Sequence, residues 1–209
     1  MALVKLNNRG VRSVSTFGSI SSLGSYTFIK KVTASSSGTV SFVDGSSDVV
    51  LDNTYKEYLF TFKDIHPSAT GSGVNFSFNG STDSGSNYNA TKTTALFRTY
   101  NYEGADTTTL GFAGTPALAQ STAFQTLTTN NTNPNDGSNV GILHLYDPSS
   151  TTYIKHFTCV TSQNTFNGEN CMNNYVAGYF NTTSAIDAIQ FKFASGNVDA
   201  GDICLYGIN

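Results

Sequence analysis

A chain of 209 residues that is 38% hydrophobic has the apolar content for one sizeable core, and at 12% its charged fraction is about half the usual share. The net charge of -3, with 11 Lys and Arg, excludes the concentrated basic surface that a phosphate backbone demands, so nucleic acid is not an expected partner. No apolar run reaches the roughly 18 residues of a membrane helix. Residues 1–5 lead into Asn7-Asn-Arg-Gly10 and not into a signal-peptide core, so neither membrane insertion nor secretion is expected and the chain reads as made in the cytoplasm.

Gly, Ser, Thr and Asn take the places that Lys and Glu usually fill, a composition suited to strands and turns. A polar stretch to about Ser25 comes first, and its Lys5, Arg9 and Arg12 are the one basic grouping in the chain. Residues 26–32 then read as a strand, followed by the Ser35-Ser-Ser-Gly38 turn, a second strand over 39–43 and a tight turn at Asp44-Gly45. Residues 55–65 alternate Tyr58, Phe60 and Phe62 against Leu59, Thr61 and Lys63, which predicts a central strand ended at His66-Pro67.

Val74, Phe76 and Phe78 mark a further strand, and the wholly polar stretch 80–87 reads as an exposed loop. Strand patterns resume over 91–102, 123–128, 140–146, 152–160 and 175–180. Only residues 115–125 offer helix formers, enough for one or two turns at most. Ile189, Phe191 and Phe193 alternate with Gln190 and Lys192, and the chain closes on a last strand over 203–208. Ten or more short strands with frequent turns predict an all-β fold, a single-domain antiparallel β-sandwich of jelly-roll-like form over residues 26–209, preceded by a polar N-terminal arm over 1–25.

Chemistry is sparse. The nucleophile elbow Gly-x-Ser-x-Gly, a phosphate loop and His-Glu-x-x-His are all missing, so no catalytic residue, cofactor or metal is assigned. Asp83-Ser-Gly-Ser-Asn87 resembles a calcium loop only faintly, because Gly85 stands where a ligand should be. His144 and His156 flank the Asp147-Pro-Ser-Ser150 turn. A five-residue connection would set Tyr146 opposite Thr152, His144 opposite Ile154 and His156 opposite Ile142, making the two imidazoles diagonal neighbours on one face.

Glu57, Asp64, Glu103, Asp106, Asp187, Asp199 and Asp202 are too scattered for sequence to pair any two as a glycosidase would need. Trp is absent, which leaves Tyr100, Tyr102 and Tyr153 as the available sugar-stacking rings. Cys159, Cys171 and Cys204 form no closed disulfide framework, although oxidation of Cys159 with Cys171 would close the loop between them.

Several phrases carry a resemblance. They are Leu3-Val-Lys-Leu-Asn-Asn-Arg-Gly-Val-Arg12, Phe28-Ile-Lys-Lys31 with Ser41-Phe-Val-Asp-Gly45, Tyr55-Lys-Glu-Tyr-Leu-Phe-Thr-Phe62 with Ile65-His-Pro67, Ala177-Gly-Tyr-Phe-Asn-Thr-Thr-Ser-Ala-Ile186, and Leu205-Tyr-Gly-Ile208. In these the chain resembles small structural proteins of marine tailed bacteriophages, especially those of cyanobacteria; residues 81–139 match least.

The resemblance implies a non-catalytic virion component, either a head decoration protein or an external appendage subunit. Its expected partners are major capsid or tail proteins and further copies of itself, with a trimer favoured for three-fold capsid positions. Lys5, Arg9 and Arg12 on the N-terminal arm are the expected assembly anchor. A host-glycan-binding adhesin, binding a surface glycan through the long loops, is the alternative expectation, and a glycan depolymerase the third.

Overall fold

The structure, a computed structural model, describes residues 25–104, 108–135, 137–165 and 170–208. Twelve strands account for its regular structure: β1 (Tyr26–Thr33), β2 (Val40–Val43), β3 (Glu57–Pro67), β4 (Phe76–Ser81), β5 (Lys92–Tyr102), β6 (Thr108–Phe112), β7 (Gln125–Thr128), β8 (Asn139–Tyr146), β9 (Lys155–Asn164), β10 (Asn170–Phe180), β11 (Ala188–Phe193) and β12 (Val198–Ile208). They form two antiparallel sheets, one ordered β1-β12-β3-β8-β9-β10-β5-β6 and the other β2-β11-β4-β7. The chain is therefore an all-β, two-sheet antiparallel structure of sandwich form, as the alternation predicts. The N-terminal arm, with Lys5, Arg9 and Arg12, lies outside the described residues.

The core sits where the two sheets face each other, and it is built of phenylalanine. Alternation along β3 sends Tyr58, Phe60 and Phe62 inward, and β4 and β11 answer with Phe76, Phe78, Phe191 and Phe193. Phe191 is the hub, with ring centroids 5.2 to 6.3 Å from Phe62, Phe60, Phe76, Phe78 and Phe42, mostly edge to face. A second group, Phe78, Phe157 and Phe180, continues it under β9 and β10.

The C-terminal strand is not an edge. β12 lies between β1 and β3, so its buried Ile203 and Leu205 close the larger sheet over the core. Pairing with β3 is interrupted by irregularities around Ala200, and there Gly201 takes a φ of 116°. A Cβ at that position would stand 2.5 Å from the Asp64 carbonyl oxygen, so only glycine fits the crossing.

The structure adds to or departs from the sequence reading at three places. Residues 115–125 form no helix; Lys92 bridges to Ser121 and the Thr94 hydroxyl accepts from the Leu118 N–H, which pins the segment flat against β5, and Pro116 interrupts it. β6 was invisible to the alternation test, because Thr108, Leu110 and Phe112 are exposed on one face and Thr109 and Gly111 offer no apolar partner on the other. Strands β9 and β10 are each longer than their apolar patterns predict. Their extensions, Thr161 to Asn164 and Asn170 to Asn174, bury mostly polar side chains, with Met172 the one apolar exception.

Those polar interiors hold the loops. Gln163 accepts from the Thr129 N–H at 2.9 Å and donates back to the Thr129 carbonyl, fixing the connection after β7 to β9. Asn79 donates to the carbonyls of Tyr88 and Thr122, and Asn139 to that of Ile65. Amide side chains thus satisfy loop backbone that strands leave unpaired, which is one use the chain makes of its unusual Asn content.

Candidate functional site

The outward face of the larger sheet is the most distinctive surface. Cross-strand register places Ile142 of β8 opposite Val160 of β9, Val160 opposite Tyr175 of β10, Tyr175 opposite Phe97 of β5, and Phe97 opposite Phe112 of β6. Five side chains therefore form one apolar row across five strands, about 19 Å long at the usual strand spacing. Tyr175 and Phe97 stack with centroids 4.7 Å apart and planes 7° from parallel.

Beside that row, two residues along each strand, lie Thr158, Ala177 and Ala95, which are mutually opposite. Their small side chains leave a depression of about 350 Å³, walled on its far side by His156 and Tyr179. The face is thus a ridge and a groove side by side.

His144 and His156 are both on this outward face. The connection from Asp147 to Ile154 has eight residues instead of five, so His144 lies opposite Thr158 and Ile142 opposite Val160. The expected pairings with Ile154 and Ile142 are therefore replaced, and the shift by an even number of residues keeps the same face. The two rings have different partners. His144 Nδ1 hydrogen-bonds Glu57 Oε1 and the ring stacks near Tyr146, whereas His156 packs against Tyr179 with centroids 5.9 Å apart.

Of the other candidates, the Asp83 loop uses its carboxylate internally. Asp83 accepts from Ser81 Oγ, the Asn87 N–H and Asn87 Nδ2 at 2.7 to 2.8 Å, and these bonds hold its carboxyl below the usual carboxylate range. Among the described residues no group of three or more His, Cys, Asp or Glu side chains is arranged to hold a metal ion. Cys159 points into the core, where burial pushes its thiol well up, whereas Cys171 points outward. Opposite faces of one sheet do not permit a disulfide, so the Cys159 to Cys171 bridge that the sequence left open does not form.

Two arrangements were not legible in the sequence. β3 and β12 bring Asp64, His66 and Asp199 to the rim of one depression of about 370 Å³, with His66 Nδ1 3.9 Å from Asp199. Lys92 and Lys155 are both fully buried, and the register sets them on either side of Phe180. Lys92 Nζ donates to the Ala123 carbonyl at 2.6 Å and lies 5.7 Å from the Phe180 ring, and Lys155 Nζ donates to the Thr182 carbonyl at 3.0 Å. Desolvation draws Lys92 down to about 7; it also lowers Lys155, there opposed by Asp147. Position on the strand alternation was the available signal, since Lys92 shares the inward phase of Leu96.

The fold and these surfaces define a two-sheet β protein whose broad face is apolar. Compared with family models, curated proteins and solved structures, the chain has no match.

Proposed function

We propose that this chain is a structural protein of a tailed-bacteriophage virion, exposed on the particle surface as a head decoration or external appendage subunit, and not an enzyme. The reading starts from the resemblance of phrases between Leu3 and Ile208 to small structural proteins of marine phages, and the structural observation that supports it is the strand order. Strand order supports the finer reading of the fold as a jelly roll. With β5, β6, β9 and β10 set aside, eight strands remain; the larger sheet holds the first, eighth, third and sixth, and the smaller the second, seventh, fourth and fifth. Two Greek keys laid over each other produce that order, and capsid proteins commonly use it.

In this reading the chain acts by occupying a position in an assembly, with capsid or tail proteins and further copies of itself as partners. Peptide mass spectrometry of gradient-purified particles should recover it at many copies per virion. Its absence from purified particles, when present in the infected-cell lysate, would sink the proposal.

A second reading, a host-glycan-binding module, draws on the tyrosines. Tyr153 is 71% exposed between β8 and β9, whereas Tyr100 and Tyr102, edge to face at 5.7 Å, are half-buried on the inward phase of β5. Rings of this kind offer flat apolar faces to sugars. Binding of the purified chain to a host-glycan array, lost in Tyr153→Ala, is the result this reading expects.

A further inference from the structure

We infer that the outward face of β8, β9, β10, β5 and β6 is covered by another copy of this chain, the ridge of one copy seated in the groove of the next. This rests on the reading of the chain as an assembly subunit, but not on which particle it serves.

Area comes first. Phe112 and Leu110 are 70% and 71% exposed, and Phe97, Val140, Ile142 and Val160 are 40% to 46% exposed. Side chains of that size place on the order of 500 Å² of apolar surface on one face, at the upper end of what monomers tolerate. Together with the polar side chains around it, the face reaches the roughly 800 Å² per partner of a standard interface.

Charge narrows the occupant. Among the described residues, none that points outward from β8, β9, β10, β5 or β6 is Asp, Glu, Lys or Arg; the imidazoles of His144, bonded to Glu57, and His156, packed on Tyr179, stand at one margin of the face. Such a surface offers nothing to a polyanion, a basic tail or an acidic peptide, and complements a surface equally free of charge. This chain carries one, on the same face.

Shape agrees. The Ile142, Val160, Tyr175, Phe97 and Phe112 row stands beside the Thr158, Ala177 and Ala95 depression, at a separation of about 7 Å along the strands. Ridge and groove on one face make that face complementary to itself, so the contact repeats in a pair or a closed ring. β6 extends the argument to the edge, where Leu110 and Phe112 stand on a strand paired on one side only. A free edge of that composition invites uncontrolled pairing, and a neighbouring copy over it removes the hazard.

The test uses the full chain. Light scattering after gel filtration at micromolar concentration should give a mass that is a small multiple of the 22.3 kDa chain. Val160→Lys, and separately Leu110→Ser with Phe112→Ser, should reduce it to one chain while circular dichroism and the melting transition stay those of a folded β protein. Because these positions are exposed, folding does not depend on them. A wild-type mass of a single chain overturns the inference, and so does a multimer whose mass is unchanged in both folded variants. Either result leaves the particle experiment above to stand or fall by itself.

Discussion

Lys92 is fully buried and has no ion-pair partner among the described residues, so its charge is carried at a cost. Its native value of about 7 lies below the 10.5 of an ordinary lysine. Below about pH 7 both folded and unfolded chains hold the proton and the full penalty applies. Between about 7 and 10.5 the unfolded chain binds more protons than the folded one, so stability rises with pH, by at most about 1.4 kcal/mol per unit. Lys92→Met is expected to stabilise the protein at pH 7 by about 1–4 kcal/mol and to flatten this rise. Urea denaturation of both proteins at pH 7 and pH 10 checks it, and a destabilised variant at pH 7 would show that the bond to Ala123 outweighs the burial. The alternation of residues 91–102 places Lys92 inward, but a lysine on an apolar face reads from sequence as a stem with its ammonium in water. Only the Ala123 carbonyl and the Phe180 ring, from distant parts of the chain, keep the ammonium inside.

At the scale of the element, strands whose apolar residues alternate were legible, because burial of one face imposes period two. β3 and β11 are the clearest cases. Phe191→Ala on β11 removes the ring that five other phenylalanines touch and is expected to cost about 3–5 kcal/mol, read as a lower urea midpoint at unchanged slope. The same burial argument applies to β12. Termination of the chain at Gly201 removes Ile203 and Leu205 and exposes β1 along its full pairing edge and β3 from Glu57 to Lys63, so a chain without cooperative unfolding is expected. Differential scanning calorimetry would show a missing transition, and an intact one would mean that β12 is dispensable. β6 and the far ends of β9 and β10 were not legible for the converse reason. Apart from Met172, their inward positions are filled by Thr, Gln and Asn, several bonded to loops, or lie beyond the smaller sheet, so hydrophobicity carries little period there.

At the scale of the whole molecule, the sheet order puts the start of the described chain and the proposed contact face at opposite sides of the larger sheet. Residue 25 leads directly into β1, the strand at the opposite edge of the larger sheet from β6. If Lys5, Arg9 and Arg12 anchor the chain to a capsid or tail protein, deletion of residues 1–12 should abolish incorporation into particles. The melting temperature and the mass of the free protein should stay unchanged. Incorporation at the wild-type level, measured by quantitative immunoblotting of purified particles, would dismiss the anchor.

The candidate surface was legible only in fragments. Val140, Ile142, Val160 and Phe97 each appear in the sequence as the second apolar phase of a strand already given a buried face, which from one strand alone looks like noise. Register turns them into a ridge, because residues 97, 112, 142, 160 and 175 come from five strands whose alignment depends on hairpin lengths. The eight-residue connection after Tyr146, which also reset the partners of His144 and His156, is such a length. By itself the sequence determined the all-β class, most of the strands and the inward faces of the central ones, since these follow from local period and burial. Which strands neighbour which, that Lys92 and Lys155 flank Phe180, that Asp64 and Asp199 share a rim, and that the outer apolar residues align were decided only by the tertiary structure. The reason is physical: pairing between distant strands is fixed by loop lengths, bulges and the packing of two sheets, and no local pattern encodes them.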